Sequence, residues 1–241
     1  MKARHLLLAA LLTSTIWISG RQAAHAGGIG MATVRGTVKF DGVAPKQKAI
    51  SMAADPSCAK QHAAPALTQE VMADNKGDLQ NVIVFVSEGL GDRAFEAPTQ
   101  PAVIDQKGCL YEPHVVAVRA GQPLEVVNDD PVTHNIHPMP ANNREWNKAE
   151  LPGSKVDESF SREEIAIPVK CNVHPWMHSY VAVFKHPYFV VTGRDGSFDL
   201  SNLAPGTYTI AAWHEKLGTR TEKITIGANE TKSVDFVFKS M

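Results

Sequence analysis

Apolar and polar residues alternate with a period of two along much of the chain, and this pattern is typical of half-buried strands. Residues 33–40 alternate in this way, and Asp41-Gly42 ends the strand as a turn. Residues 82–86 are apolar throughout, as in a strand covered on both faces. Similar patterns predict further strands at 115–118, 124–128, 180–184, 197–200, 208–213, 224–226 and 234–238. With no long amphipathic helix and many Gly and Pro turns, the sequence predicts an all-β fold of sandwiches or small barrels.

Two polar stretches interrupt the strand pattern. Residues 53–78 are rich in Ala, Pro, Gln and Asp and predict a loop with one helical turn, and residues 142–161 predict irregular structure. The residues after 186 are too few for a complete sandwich, because an incomplete second sheet would leave open edges. We therefore expect 32–90 and 187–241 to form one discontinuous sandwich, with 91–186 inserted as a second. The alternative is a single β domain with extra strands.

The N-terminus has the three parts of a secretory signal. Basic residues precede the apolar run 6–18, and Ala24-His25-Ala26 fits a small-x-small cleavage site. We expect residues 1–26 to be removed and the mature chain to be periplasmic or secreted, without stable membrane insertion. A retained N-terminal anchor is the alternative.

The charge balance excludes one class of partner. Lys and Arg number 24 against 25 Asp and Glu, and the longest basic block is Lys-Gln-Lys at 46–48. A nucleic-acid binder needs a concentrated positive surface that displaces counterions. The sequence therefore predicts no nucleic-acid partner.

The chain has three cysteines, and an oxidising compartment favours pairing two of them. Cys58 and Cys109 lie in polar, loop-like surroundings, whereas Cys171 lies among possible metal ligands. We therefore predict a Cys58–Cys109 disulfide and a Cys171 that metal binding protects from oxidation.

Soft and borderline metal ligands are concentrated in one short segment. Cys171, His174 and Met177 fall within seven residues after a predicted strand, and His134 ends another strand about forty residues earlier. Two imidazoles, a thiolate and a weak thioether form the type 1 copper donor set. Taken singly, Cys171 is also consistent with a buried free thiol or an intermolecular disulfide, Met177 with core packing, and His134 with a backbone-bonded loop histidine. The combination favours one mononuclear copper.

The segment Cys171-Asn-Val-His-Pro-Trp-Met resembles the ligand loop of amicyanin-type cupredoxins. Val-Asn-Asp-Asp-Pro-Val-Thr-His134-Asn resembles the upstream ligand segment of plastocyanin-like proteins. The resemblance implies a Greek-key cupredoxin β-sandwich over 91–186, copper ligands His134, Cys171, His174 and Met177, and Asn135 as a hydrogen-bonding support of the loop.

A second resemblance concerns the two ends of the chain. Gly36-Thr-Val and Thr192-Gly-Arg-Asp-Gly-Ser-Phe, followed by Leu-Ala-Pro-Gly-Thr-Tyr-Thr-Ile, resemble the halves of a carboxypeptidase regulatory-like sandwich. This resemblance implies a transthyretin-like or Ig-like β-sandwich and no carboxypeptidase activity.

Other side chains near the predicted ligands need separate roles. His137 points to the opposite face of a regular strand from His134, so it is a supporting or surface group unless a bulge makes it a ligand. His178 is expected at the rim of the site. Trp176 either packs or offers an apolar contact beside His174 to a partner. Further imidazoles occur at 114, 186 and 214.

These residues predict a one-electron carrier rather than an enzyme, with a cytochrome or a copper oxidoreductase as redox partner. The chain has no Cys-x-x-Cys-His, His-Glu-x-x-His or Gly-x-Ser-x-Gly motif. Three alternatives stay open: copper storage, delivery or sensing; a cell-envelope scaffold with incidental copper; and an enzymatic copper site with an open coordination position.

Overall fold

The computed structural model describes residues 30–240, so the predicted signal segment 1–26 lies outside the described residues. Before residue 90 the elements are β1 Ala32–Asp41, α1 Pro56–Ala59 and β2 Ile83–Glu88. The middle of the chain contains β3 Ala102–Gln106, β4 Tyr111–Glu112, β5 Val115–Arg119, β6 Leu124–Asn128, β7 His134–Pro138, β8 Lys148–Glu150, β9 Lys155–Glu158, β10 Glu164–Lys170 and β11 His178–Phe184. The last part contains β12 Phe189–Val191, β13 Ser197–Leu203, β14 Gly206–His214, β15 Gly218–Ile226, β16 Thr231–Ser233 and β17 Phe236–Lys239. The all-β prediction is confirmed.

Strands β3 to β11 form two sheets that enclose one core, here called the middle sandwich. One sheet has the order β5-β11-β10-β7-β8 and the other β4-β3-β6-β9. The buried residues between them include Ile104, Val126, Phe160 and Val181. Ile104, Val126 and Val181 point inward from their strands because successive side chains of a strand face opposite sides, and Phe160 enters the core from the connection between β9 and β10. The interval 142–161, predicted to be irregular, contains the short strands β8 and β9. Their sequences, Lys-Ala-Glu and Lys-Val-Asp-Glu, are mostly polar and therefore show no alternating apolar face.

The first two strands and the last six form a second pair of sheets, here called the terminal sandwich. β1 pairs with β13, β16 and β17, and the other sheet has the order β12-β2-β14-β15. The pairing of β1 with β13 and of β2 with β14 joins strands that are more than one hundred residues apart in sequence. Val38, Leu203, Ile210 and Phe238 are among the residues buried in its core.

The two sandwiches are in contact through apolar side chains. A separate buried cluster contains Ile83 of β2 with Val115 and Phe184 of the middle sandwich. Phe184 stacks on Phe189, with ring centroids 4.6 Å apart. This contact places the β5-β11 face of the middle sandwich against the β2 sheet of the terminal sandwich.

The segment between β1 and β2 packs partly on the middle sandwich, although its sequence lies within the predicted 32–90 unit. We name residues 50–66 the covering segment. Its ends are joined by a hydrogen bond from Ile50 N to Ala66 O of 2.8 Å, and its single helical turn is α1. Met52 and Cys58 are buried in the core of the middle sandwich. Among the described residues, no helix has the length and apolar character that a membrane span requires.

Candidate metal centre

Three metal-binding side chains converge at one end of the middle sandwich. His134 begins β7, Cys171 directly follows β10, and His174 lies in the loop that leads to β11. One ligand atom from each lies within 4.8 Å of the other two. The Nδ1 atoms of the two histidines are 2.9 Å apart, and all three residues are at most 3% exposed.

The hairpin of β10 and β11 creates this convergence. Lys170 is paired with His178, so residues 171–177 form the turn between the two strands. Inside the turn, Cys171 N donates to Met177 O at 3.2 Å and Met177 N to His174 O at 2.9 Å. Met177 is fully buried in the same cluster as Cys171. The tight turn therefore places the thiol, the imidazole and the thioether of this segment at one end of the core.

A buried carboxylate orients His134. Its Nε2 lies 2.7 Å from Asp130 Oδ2, and neither side chain is exposed. Asp130 also accepts from the backbone N–H groups of Gly108 and Cys109, at 2.6 and 2.7 Å. Burial opposes a charge on His134, but its hydrogen bonds to Asp130 and Cys171 outweigh burial and raise its pKa to about 9. Since a carboxylate only accepts, Nε2 carries a hydrogen and Nδ1 faces the other donors.

The covering segment orients His174 in a similar way. Its Nε2 lies 3.2 Å from Asp55 Oδ2 and 3.6 Å from Cys58 Sγ. Asp55 is itself held at the start of α1, where its side chain accepts from Ser57 N at 2.8 Å. The Trp176 ring lies 5.0 Å from the His174 ring, and Trp176 Nε1 donates to Cys109 O at 3.1 Å.

The imidazole of His174 is itself covered by the protein. His174 is 2% exposed because the covering segment lies against its outer edge. Trp176 is half-buried. The surface nearest to His174 is therefore made by Asp55 and α1 rather than by the imidazole itself.

The thiol of Cys171 is surrounded by hydrogen-bonding groups. Its Sγ lies 3.4 Å from Asn135 Oδ1, and His174 N donates to the sulfur at 3.3 Å. Burial disfavours the thiolate, but the hydrogen bonds from His134 and from backbone N–H groups outweigh it, so the pKa of Cys171 is lowered. A thiolate is the form of cysteine that binds metals.

Asn135 connects the strand of His134 to the loop of Cys171. Its Oδ1 accepts from Asn172 N at 2.7 Å, and its Nδ2 donates to Asn147 Oδ1 at 2.7 Å. Tyr111 donates its hydroxyl to the Asn135 backbone carbonyl at 2.5 Å. These contacts fix the relative position of two segments that contribute ligand atoms.

His137 and His178 lie outside this donor group. His137 Nε2 pairs with Glu145 at 2.6 Å, and its Nδ1 lies 3.2 Å from Asn172 Oδ1. It is therefore a neighbour of the loop rather than a third imidazole of the donor group. His178 Nδ1 lies 3.0 Å from Trp176 O, and its ring is beside His114 instead of His134.

The structure joins Cys58 and Cys109 in a disulfide and leaves Cys171 free and buried. This cross-link ties α1 to the turn that Asp130 holds. Sequence reasoning missed Asp55 and Asp130 as partners of the two histidines. The contact between Asp130 and His134 has a signal in the sequence, because the two residues are only four positions apart. Asp55 has only a weaker one, the helix-start pattern Asp-Pro-Ser before Cys58.

The donors fit a copper ion in their chemistry. Two imidazoles and one thiolate are borderline-to-soft ligands that suit copper, and a buried thioether lies in the same turn. In the described arrangement the two Nδ1 atoms are close enough to share one hydrogen, so a metal ion would replace a proton there. The cysteines of two neighbouring groups, Asp55-Cys58-His174 and Cys109-Asp130-His134, are in the disulfide and do not supply thiolates.

The fold and this site together define an all-β protein with a buried cysteine-histidine centre. No protein-family model and no curated protein sequence matches the chain. A copper-containing nitrite reductase from Thermus scotoductus SA-01 is similar over 40% of this chain and 25% of its own, at 19% identity and TM-score 0.34, so the chain spans a quarter of that protein. A purple cupredoxin from Nitrosopumilus maritimus is similar over 34% of this chain and 98% of its own, at 24% identity and TM-score 0.30. A mutant of amicyanin matches 48% of this chain and 93% of its own, at 17% identity and TM-score 0.31.

Proposed function

We propose that the chain is an exported type 1 copper protein that exchanges single electrons with a redox protein, such as a cytochrome or a copper oxidoreductase, in the periplasm or outside the cell. The convergence of Cys171 Sγ with the inward-facing Nδ1 atoms of His134 and His174 is the observation that carries this proposal. Met177 is the fourth, weak ligand by its place in the turn. No enzymatic activity is part of the proposal.

Bound copper would supply the Cu(II)/Cu(I) couple, and the protein's own residues would hold it. Asp130 and Asp55 each bond the outer nitrogen of one histidine, which leaves the inner nitrogen free to bind metal. The His174 backbone N–H donates to the sulfur of Cys171 and would hold it as a thiolate, and Asn135 fixes the Cys171 loop by accepting from Asn172 N. A donor set fixed in this way has little freedom to rearrange when the charge at the site changes, and small rearrangement favours fast electron exchange.

The enclosure of the site favours a carrier over copper delivery. The three main ligands are buried, and the covering segment is cross-linked over His174. A delivery protein has to transfer its copper ion to the ligands of a recipient protein, and a closed site opposes this transfer. Copper delivery and scaffolding remain outcomes of the tests below.

The optical spectrum of the copper-loaded protein tests the proposal. We expect a strong visible thiolate-to-copper band in wild type and its loss in Cys171→Ser. His134→Gln should also lose it, whereas His137→Gln is the matched control and should keep it, because His137 is paired with Glu145. An unchanged band and copper content in Cys171→Ser would contradict the assignment.

The rival function has its own readout. A carrier gives reversible voltammetry and fast exchange with a reduced cytochrome. Rapid transfer of Cu(I) to an acceptor, without a stable Cu(II) form, would instead support delivery. Absence of stoichiometric copper would leave the scaffold role.

A further inference from the structure

A second group of metal-binding side chains lies where the two sandwiches meet. His114 precedes β5, His178 begins β11, and Glu215 lies in the turn between β14 and β15. One ligand atom from each of the three lies within 4.8 Å of the other two. The histidines belong to the middle sandwich and the glutamate to the terminal sandwich.

Backbone pairing fixes the two histidines beside each other. β5 and β11 are parallel neighbours, with Tyr180 opposite Val115, and Tyr180 N donates to the backbone carbonyl of His114 at 3.0 Å. The rings of His114 and His178 are 5.2 Å apart at their centroids and nearly perpendicular. Their closeness follows from strand register rather than from chance surface orientation.

His178 presents one nitrogen that can bind a metal. Its Nδ1 lies 3.0 Å from the carbonyl oxygen of Trp176. A carbonyl only accepts, so this nitrogen carries the hydrogen, and in the neutral ring Nε2 carries the lone pair. The backbone of the Cys171 loop thus selects the tautomer that suits a ligand.

Glu215 is a buried carboxylate, and only one of its two oxygens is bonded to His114. Its side chain is 1% exposed, and Oε1 lies 2.6 Å from His114 Nε2. Its Oε2 is buried and makes no hydrogen bond of normal geometry, and the Tyr180 hydroxyl is close enough to interact with the carboxylate. The adjacent cation, Lys216, pairs with Glu70 at 2.9 Å. An unsatisfied buried carboxylate oxygen is costly, and a cation at this point would remove the cost.

We propose that His114, His178 and Glu215 form a second site, for a divalent first-row transition ion such as Zn²⁺, that joins the two sandwiches. A bound ion would displace the hydrogen that His114 Nε2 donates to Glu215 Oε1. Two neutral imidazoles and one carboxylate suit zinc or Cu(II), whereas Mg²⁺ and Ca²⁺ prefer all-oxygen sites. Bonds of about 2.0–2.2 Å separate neighbouring tetrahedral donors by about 3.4 Å, so small side-chain adjustments bring these donors into range. The fourth position is left for water.

This site shares no ligand with the copper centre, but it lies next to the copper-binding loop in sequence. His178 directly follows Met177, and the carbonyl that orients it belongs to Trp176. An ion held by Glu215 would therefore tie the terminal sandwich to the loop that carries His174 and Met177.

Zinc titration of the copper-loaded full chain tests the proposal. We expect wild type to bind one equivalent of Zn²⁺ beside its copper. Glu215→Gln should lower zinc affinity by more than the roughly 10- to 100-fold that outer-sphere partners cost. Glu145→Gln is the matched control, because Glu145 also pairs with a histidine at 2.6 Å but is 60% exposed. It should leave zinc affinity unchanged.

Two further measurements keep the test decisive. If Glu215→Gln misfolds by circular dichroism, His178→Gln replaces it, and the half-buried position of His178 makes the change milder. The zinc equivalent should persist in Cys171→Ser, so the site stands even if the copper proposal fails. Anomalous diffraction at the zinc edge should place the ion between His114 and Glu215. If wild type binds no zinc beside its copper, or if Glu215→Gln binds zinc as tightly as wild type does, His114 and Glu215 form only a hydrogen-bonded pair.

Discussion

Removal of the disulfide over the metal centre should weaken both the fold and the retention of copper. The change is the double variant Cys58→Ser with Cys109→Ser, because a single substitution would leave a free thiol 3.6 Å from His174 Nε2 or in the neighbouring turn. The two cysteines are separated by 51 positions. A cross-link of this span stabilises a protein by about 4 kcal/mol through the lost entropy of the unfolded chain.

Urea unfolding of the copper-free protein measures the first effect, and release of copper to excess chelator measures the second. The free energy of unfolding should fall by about 4 kcal/mol. Copper should leave faster, because α1 is no longer held over the outer edge of His174. Lys60→Ala is the control: Lys60 is an exposed residue at the end of α1 and has no side-chain partner among the described hydrogen bonds. A double variant with wild-type stability and wild-type copper release would refute the role given to the covering segment.

Three other predictions concern separate parts of the molecule. Asp130→Asn preserves shape but removes the charge that orients His134, so competitive titration should show copper affinity about 10- to 100-fold weaker; an unchanged affinity would contradict this role. Leu203→Ala, in the core of the terminal sandwich, should cost about 2–5 kcal/mol in urea unfolding and leave the visible copper band unchanged; a lost band would show that the two sandwiches depend on each other. Burial, aided by the charge of Arg119, lowers the pKa of His186 from 6.5 to about 4. The free energy of unfolding is therefore independent of this histidine above pH 6.5, and it decreases as the pH falls towards 4 because the unfolded chain binds the proton more readily. Between pH 6.5 and 5 the loss should be about 2 kcal/mol, and His186→Gln, compared with wild type by unfolding at both pH values, should not show this part of the loss.

Local patterns were sufficient for about half of the strands. The alternation at 33–40 and the apolar run at 82–86 predicted β1 and β2, because strand burial repeats with the same period as the side chains. The strands that were not predicted are β3, β4, β7, β10, β12 and β16, together with the short strands β8 and β9. The residues of β8 and β9 are mostly polar, so no apolar face marks these two strands, and only hydrogen bonding to β7 and β6 makes them strands.

The candidate ligands were also readable from the sequence. Cys171, His174 and Met177 fall within one turn, and the chemistry of sulfur and imidazole donors does not depend on the rest of the fold. The placement of His134 beside them required β7 to pair with β10, which the structure shows. The exclusion of His137 from the donors depended on the same pairing and on Glu145.

Sequence alone thus determined about half of the strands, the all-β class and the candidate donors, because each is encoded by neighbouring residues. The tertiary structure alone decided what surrounds them. Asp55 lies 119 positions from His174, and His114 lies 101 positions from Glu215. Contacts at such separations depend on how whole sheets pack, and no local periodicity records that packing. For this reason the covered histidine and the second cluster of ligands emerged only when the chain was folded.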